Sequence, residues 1–162
     1  MGSTRRSKGA SLIPGQAYSA GRFLLTDEDA LVFTLTLGGA GYAALPAHNI
    51  WGGVDEYEAH ITTMGTGRAP RTDDGSYSFV FSLEDPGFQN WIDPAGFRQG
   101  TALIRWIGFD HNAVGSGPTL TVQMTTLSQL DNIMPSGAQR IDSVGRRIQL
   151  AQHARDYRAA LG

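Results

Sequence analysis

Glu56, Glu58 and His60 occupy every second position of one stretch. In an extended strand alternate side chains share a face, so these three would point the same way. Two carboxylates and an imidazole on one face are a donor set for a divalent cation. With His111 brought near, Glu58, His60 and His111 would also serve as acid–base groups of a small-molecule enzyme of lyase, isomerase or hydrolase type. The same stretch reads equally as the solvent face of a half-buried strand, with Tyr57, Ala59 and Ile61 inward. The two histidines two residues apart that jelly-roll metal sites use are absent, so no metal and no other cofactor is expected.

Other chemistries fail on spacing. The chain has no cysteine, which excludes thiolate catalysis, Cys-type zinc sites and disulfides. Ser116 has glycine on both sides, but the spacing of a nucleophile elbow is missing. Gly38-Gly39-Ala40-Gly41 follows a strand pattern, yet no Lys-Ser/Thr helix start comes after it, which leaves a hairpin connection rather than a phosphate cradle. Trp51 stands out differently. It sits between Ile50 and Gly52, beside His48 and Asn49, where core packing does not require it. Exposed there, it would be a contact residue for a ligand or partner, with His48 and Asn49 as neighbours.

Asp85-Pro86-Gly87 followed by Asn90 and Trp91 reads first as a structural corner. The dipeptide Pro-Gly sets a tight turn, Asn90 satisfies backbone groups, and Trp91 enters the core. Arg105 is the cation expected to bridge to Asp85, Asp93 or Glu84.

The elements that would carry these residues are mostly strands. Residues 31–37 mix β-branched residues with alternation and end at Gly38-Gly39. Residues 42–45 suggest a short strand, and 55–63 alternate clearly. Thr72-Asp73-Asp74-Gly75 marks a turn into 76–82, where Tyr77, Phe79 and Phe81 face inward. Residues 101–108 and 119–124 complete the series. Many short strands with regular breakers predict an antiparallel jelly-roll-like β-sandwich. At the end the pattern changes. A helical turn is expected at 126–130, and Asp142 or Ser143 can cap a helix reaching about residue 160. Ile141, Val144, Ile148 and Ala151 would form its apolar face. The expected organisation is a disordered basic tail over 1–20, a sandwich over 21–125 and a C-terminal helical extension over 126–162.

The 162 residues make one ordinary domain, with 41% hydrophobic residues and 21 glycines favouring turns. The net charge of −2 gives no basis for nucleic-acid or membrane binding, although both ends are basic and the middle is acidic. The greasiest stretch, 30–45, is too short and too broken by Gly and Thr to span a bilayer. No apolar segment follows the basic start as in a signal peptide, so a cytoplasmic protein is expected.

Several of these stretches resemble the DUF1214 family. Gly21-Arg22-Phe23-Leu24-Leu25-Thr26-Asp27-Glu28-Asp29-Ala30-Leu31-Val32 is similar to its opening strand. Asp74-Gly75-Ser76-Tyr77, then Asp85-Pro86-Gly87-Phe88-Gln89-Asn90-Trp91-Ile92, resembles its DGS…PG..NWL motif. Leu103-Ile104-Arg105-Trp106 is similar to its closing strand, and Met134-Pro135 before Arg146-Arg147 to its arginine-rich helix. The resemblance covers residues 20–155. It implies a jelly-roll-like sandwich and no established general activity. Residues 46–55 depart from the pattern. Relatives often carry this domain behind another in a longer chain.

Three functions are therefore expected in order. The first is a non-catalytic binding or accessory subunit that contacts a partner chain, forms a homo-oligomer or takes a small ligand. The second is the Glu/His enzyme described above. The third is a self-assembling structural protein.

Overall fold

The computed structural model describes residues 15–54, 57–109 and 117–162. Among these described residues eight strands form two four-stranded sheets. They are β1 (Gln16–Leu24), β2 (Asp29–Thr36), β3 (Ala40–His48), β4 (Thr63–Gly65), β5 (Tyr77–Ser82), β6 (Trp91–Ile92), β7 (Gln99–Phe109) and β8 (Thr119–Thr126). The first sheet has the order β1-β7-β3-β4, the second β6-β5-β2-β8. The chain passes repeatedly from one sheet to the other, in the manner of a jelly roll. All pairings are antiparallel except the short β5–β6 pair, which is parallel.

Alternation explains the core. Phe33 and Leu35 of β2, and Tyr77, Phe79 and Phe81 of β5, meet Ala43, Leu45 and Ala47 of β3 and Ile104 and Trp106 of β7 between the sheets. Trp106 places its indole N–H on the Thr36 carbonyl, 3.1 Å away, which satisfies the one polar atom it brings inside. β5 is buried along its whole length. Its second face, with Val32 and Ala30 of β2, is covered by Phe88 and Leu130. Leu130 starts α1 (Leu130–Ile133), which follows a single 3-10 turn at Leu127–Gln129. Ser78 and Ser82, which alternation would leave in water, are therefore buried. The Ser78 hydroxyl finds Thr34 at 2.9 Å.

The turn before β5 forms as its residues dictate. Asp74 accepts from the Ser76 backbone N–H and the Thr72 hydroxyl. These bonds, the Ser76 amide first, hold its carboxyl below the usual carboxylate range. Gly75 takes φ +81°.

Four expectations are corrected. β1 begins at Gln16, so residues 16–20 belong to the sheet and not to a tail. They pair in register with Ile107 to Leu103 through backbone bonds, and an edge strand needs little apolar sequence to do so. Residues 57–60 are turns and a bend instead of a strand, and β4 starts only at Thr63. The connection through Gly38 and Gly39 joins strands in opposite sheets, so it is an arch and not a hairpin. Gly38 has φ +52°, and a Cβ there would lie 2.2 Å from the Gly117 backbone, so the close approach requires glycine.

The fourth correction concerns α2 (Ser143–Leu161), which begins where Asp142 accepts from the Gly145 N–H at 2.7 Å. The expected apolar face is not the docked one. Val144 and Ile148 are 52% and 63% exposed, whereas Arg146 and His153 are buried. The helix docks through Arg146 and His153 at i and i+7 with Leu150 between them, a face on which polar residues hide the apolar periodicity.

Candidate functional site

The corner at residues 85–91 is the receptacle for α2. Asp85 accepts from the Gly87 N–H at 2.9 Å, and Gly87 turns with φ +70° after Pro86. The same carboxylate receives Arg146 in a two-pronged ion pair, Nε to Oδ2 at 2.9 Å and Nη2 to Oδ1 at 3.0 Å. Arg146 also donates to the Phe88 carbonyl at 2.5 Å and to the Gln149 side chain, and its guanidinium stacks on Trp91 at 4.9 Å. Trp91 anchors its own N–H on the Ser82 carbonyl. Asn90 donates to the Pro70 and Ser78 carbonyls, both at 3.0 Å. Arg105 is not the cation of this corner. It lies exposed on β7 in the other sheet, and Arg146, sixty-one residues after Asp85, takes the place expected for it.

The acidic and histidine candidates are not gathered. Glu58 forms an ion pair with Arg158 of α2. His60 places Nδ1 2.6 Å from Oδ2 of Asp93, whose other oxygen accepts from the Ala95 N–H at 2.8 Å. The two side chains thus meet different partners, because the segment is a turn and the common strand face does not exist. Glu56 and His111 lie outside the described residues. Among the described residues no group of three or more His, Asp or Glu converges as a metal site requires.

Trp51 behaves differently. It is 87% exposed. Its loop is nevertheless held: Asn49 Oδ1 accepts from the N–H groups of Trp51 and Gly53, at 2.9 and 3.0 Å. The Asn49 backbone closes the same turn through Gly53 and Gly52. His48 ends β3 opposite Thr101, half-buried. Ile50 is 57% exposed, and Val54, Leu24 and Phe97 are exposed too. Leu24 pairs with Gln99, and His48 with Thr101, so these apolar residues all sit at one end of the first sheet.

A cleft of about 940 Å³ opens elsewhere, between α2 and the β4 edge. Tyr42, Ile61 and Met64 form one wall, Ile148 and Tyr157 the other. Tyr57 packs against His153 and Tyr157 at 5.0 and 5.2 Å. His153 Nε2 donates to the Tyr57 carbonyl at 2.6 Å. Sequence reasoning did not single out this site. The one available signal was the pair of glycines at 65 and 67, of which Gly65 makes space for the Tyr42 ring and Gly67 leaves room in the cleft.

No protein-family model matches the chain. No curated protein matches it either. Among solved structures, it is similar to an uncharacterised protein from Burkholderia cenocepacia, with TM-score 0.63 and 24% sequence identity over 78% of this chain. The chain spans only 36% of that protein's length. The likeness shows the β-sandwich fold. No helix among the described residues is long and apolar enough to cross a membrane.

Proposed function

We propose that this chain is a non-catalytic binding or accessory subunit that presents the loop at residues 49–54 to a partner protein chain. The carrying observation is Trp51, 87% exposed on a loop whose geometry Asn49 already fixes. A tryptophan on a backbone that is already held loses little backbone freedom on binding and gains a large buried area, which is the profile of an interface anchor. Ile50, Val54, Leu24 and Phe97 are exposed at the same end of the sheet and would add apolar area to such a contact. The motif residues 74–77 and 85–92 support a relation to the DUF1214 family. The proposal takes the protein as cytoplasmic, without nucleic acid, membrane or cofactor.

The test is a photo-crosslinking amino acid at position 51, with a matched probe at the exposed Met124 on β8. The reading expects a defined product with one other protein from position 51 only, lost when Ile50 and Val54 are changed to serine. A product with a second copy of this chain would instead favour self-assembly, and no product would overturn the reading.

A further inference from the structure

We propose that the cleft between α2 and the β4 edge is a binding site for an uncharged, largely apolar small molecule. The site is separate from the loop at residues 49–54 and does not depend on it. Its volume of about 940 Å³ lies within the range of clefts that take small organic ligands, and it is open to solvent on one side.

The cleft is built. Polar struts hold α2 against the sandwich. At its start Arg146 enters the Asp85 corner, and in its second half His153 meets the Tyr57 carbonyl and Arg158 meets Glu58. Between those struts Leu150 packs against the core, while the neighbouring face of the helix, with Ile148, stands off from Ile61 and Met64 and leaves the cleft. Ile148 lines the cleft and is still 63% exposed. On the opposite wall, a Cβ at Gly65 would fall 1.7 Å from the Tyr42 hydroxyl. The Tyr42 ring therefore lies directly over Gly65. At Gly67 a Cβ would make only an ordinary 3.6 Å contact, so its missing side chain keeps the cleft open.

The charges in the lining are already matched. Arg68 pairs with Asp156 at 3.0 Å. Gln149 donates to the Gln89 carbonyl and receives Arg146, and Gln152 donates to Asp156. A charged ligand would have to displace one of these partners, whereas a neutral one leaves them intact. Tyrosine hydroxyls supply donor and acceptor positions for a single polar group on such a ligand.

The test uses two probes of one shape, N-phenyl-1-naphthylamine and its sulfonated counterpart 8-anilino-1-naphthalenesulfonate, titrated by fluorescence into the full chain. The neutral probe should saturate at one per chain and bind more tightly than the sulfonate. Ile148→Asp, on an exposed helix position, and Gly67→Leu, which fills the cleft, should each weaken it at least tenfold with an unchanged circular-dichroism melt. Trp51→Ala should leave it unchanged. Absence of saturable binding, or wild-type affinity in both cleft variants, would overturn the site. A sulfonate that binds as tightly as the neutral probe would overturn the ligand class.

Discussion

Arg146→Ala should unfasten α2, and its cost follows from what the side chain touches. The guanidinium is almost wholly buried and serves Asp85, the Phe88 carbonyl, Gln149 and the Trp91 face together. A hydrogen bond to a charged group contributes about 1.5–3 kcal/mol. The Asp85 share lies at the low end, because its side chain is 38% exposed and water can replace the arginine there. The Phe88 carbonyl has no such recourse, and the stack on Trp91 adds about 0.5–2 kcal/mol. These effects overlap, and the expected loss is about 3 kcal/mol, or about 6–12 °C in Tm for a domain of this size. Arg146→Lys should recover little, since an ammonium cannot make the two-pronged pair. Arg105→Ala, at an exposed position, should stay within about 0.5 kcal/mol. Thermal and urea melts of the three variants decide the matter. A loss below about 1 kcal/mol for Arg146→Ala, or an equal loss for Arg105→Ala, would refute the reasoning.

Asn90→Ala removes the donors to the Pro70 and Ser78 carbonyls, but also an amide oxygen with no partner among the described residues. A net cost of about 1–2 kcal/mol is expected in urea melts. Gly100→Ala would place a Cβ 2.0 Å from the His48 carbonyl and against Phe23, so a loss of about 3 kcal/mol should appear in the same assay. The Thr26 backbone N–H, and then its hydroxyl, hold the Asp29 carboxyl below its ordinary value. A depressed folded pKa stabilises above the unfolded pKa and ceases to as pH falls through the folded one. The Tm difference between wild type and Asp29→Asn should therefore be present at neutral pH and vanish in strong acid.

The sandwich was legible because strand sequences such as 31–37 and 76–82 carry their pattern locally. Alternation and turn residues dictate both the element and its buried face. The helix was legible at its start, where Asp142 caps it, but its buried face was not. Ile148 and Val144 have the spacing of a docking stripe, yet Arg146 and His153 are the residues buried, because their polar partners Tyr57, Asp85 and Phe88 lie far away in sequence. The alternation over 55–63 misled for a related reason. Tyr57 is held by His153 and Tyr157 of α2, and this tertiary packing outweighs a weak strand preference. The cleft was illegible, since it exists only between elements more than sixty residues apart. Trp51 was legible because a tryptophan between isoleucine and glycine has no role in an alternating strand.

The central claim is that Trp51 is an anchor for another protein. Native mass spectrometry of untagged protein from its own host, wild type beside Trp51→Ala, tests it most directly. The wild type should carry one defined partner chain, and Trp51→Ala should lose it through a weakening of about thirtyfold, or about 2 kcal/mol, with stability unchanged within about 0.5 kcal/mol. A wild-type chain that flies alone, or a complex that the variant retains intact, would contradict the account.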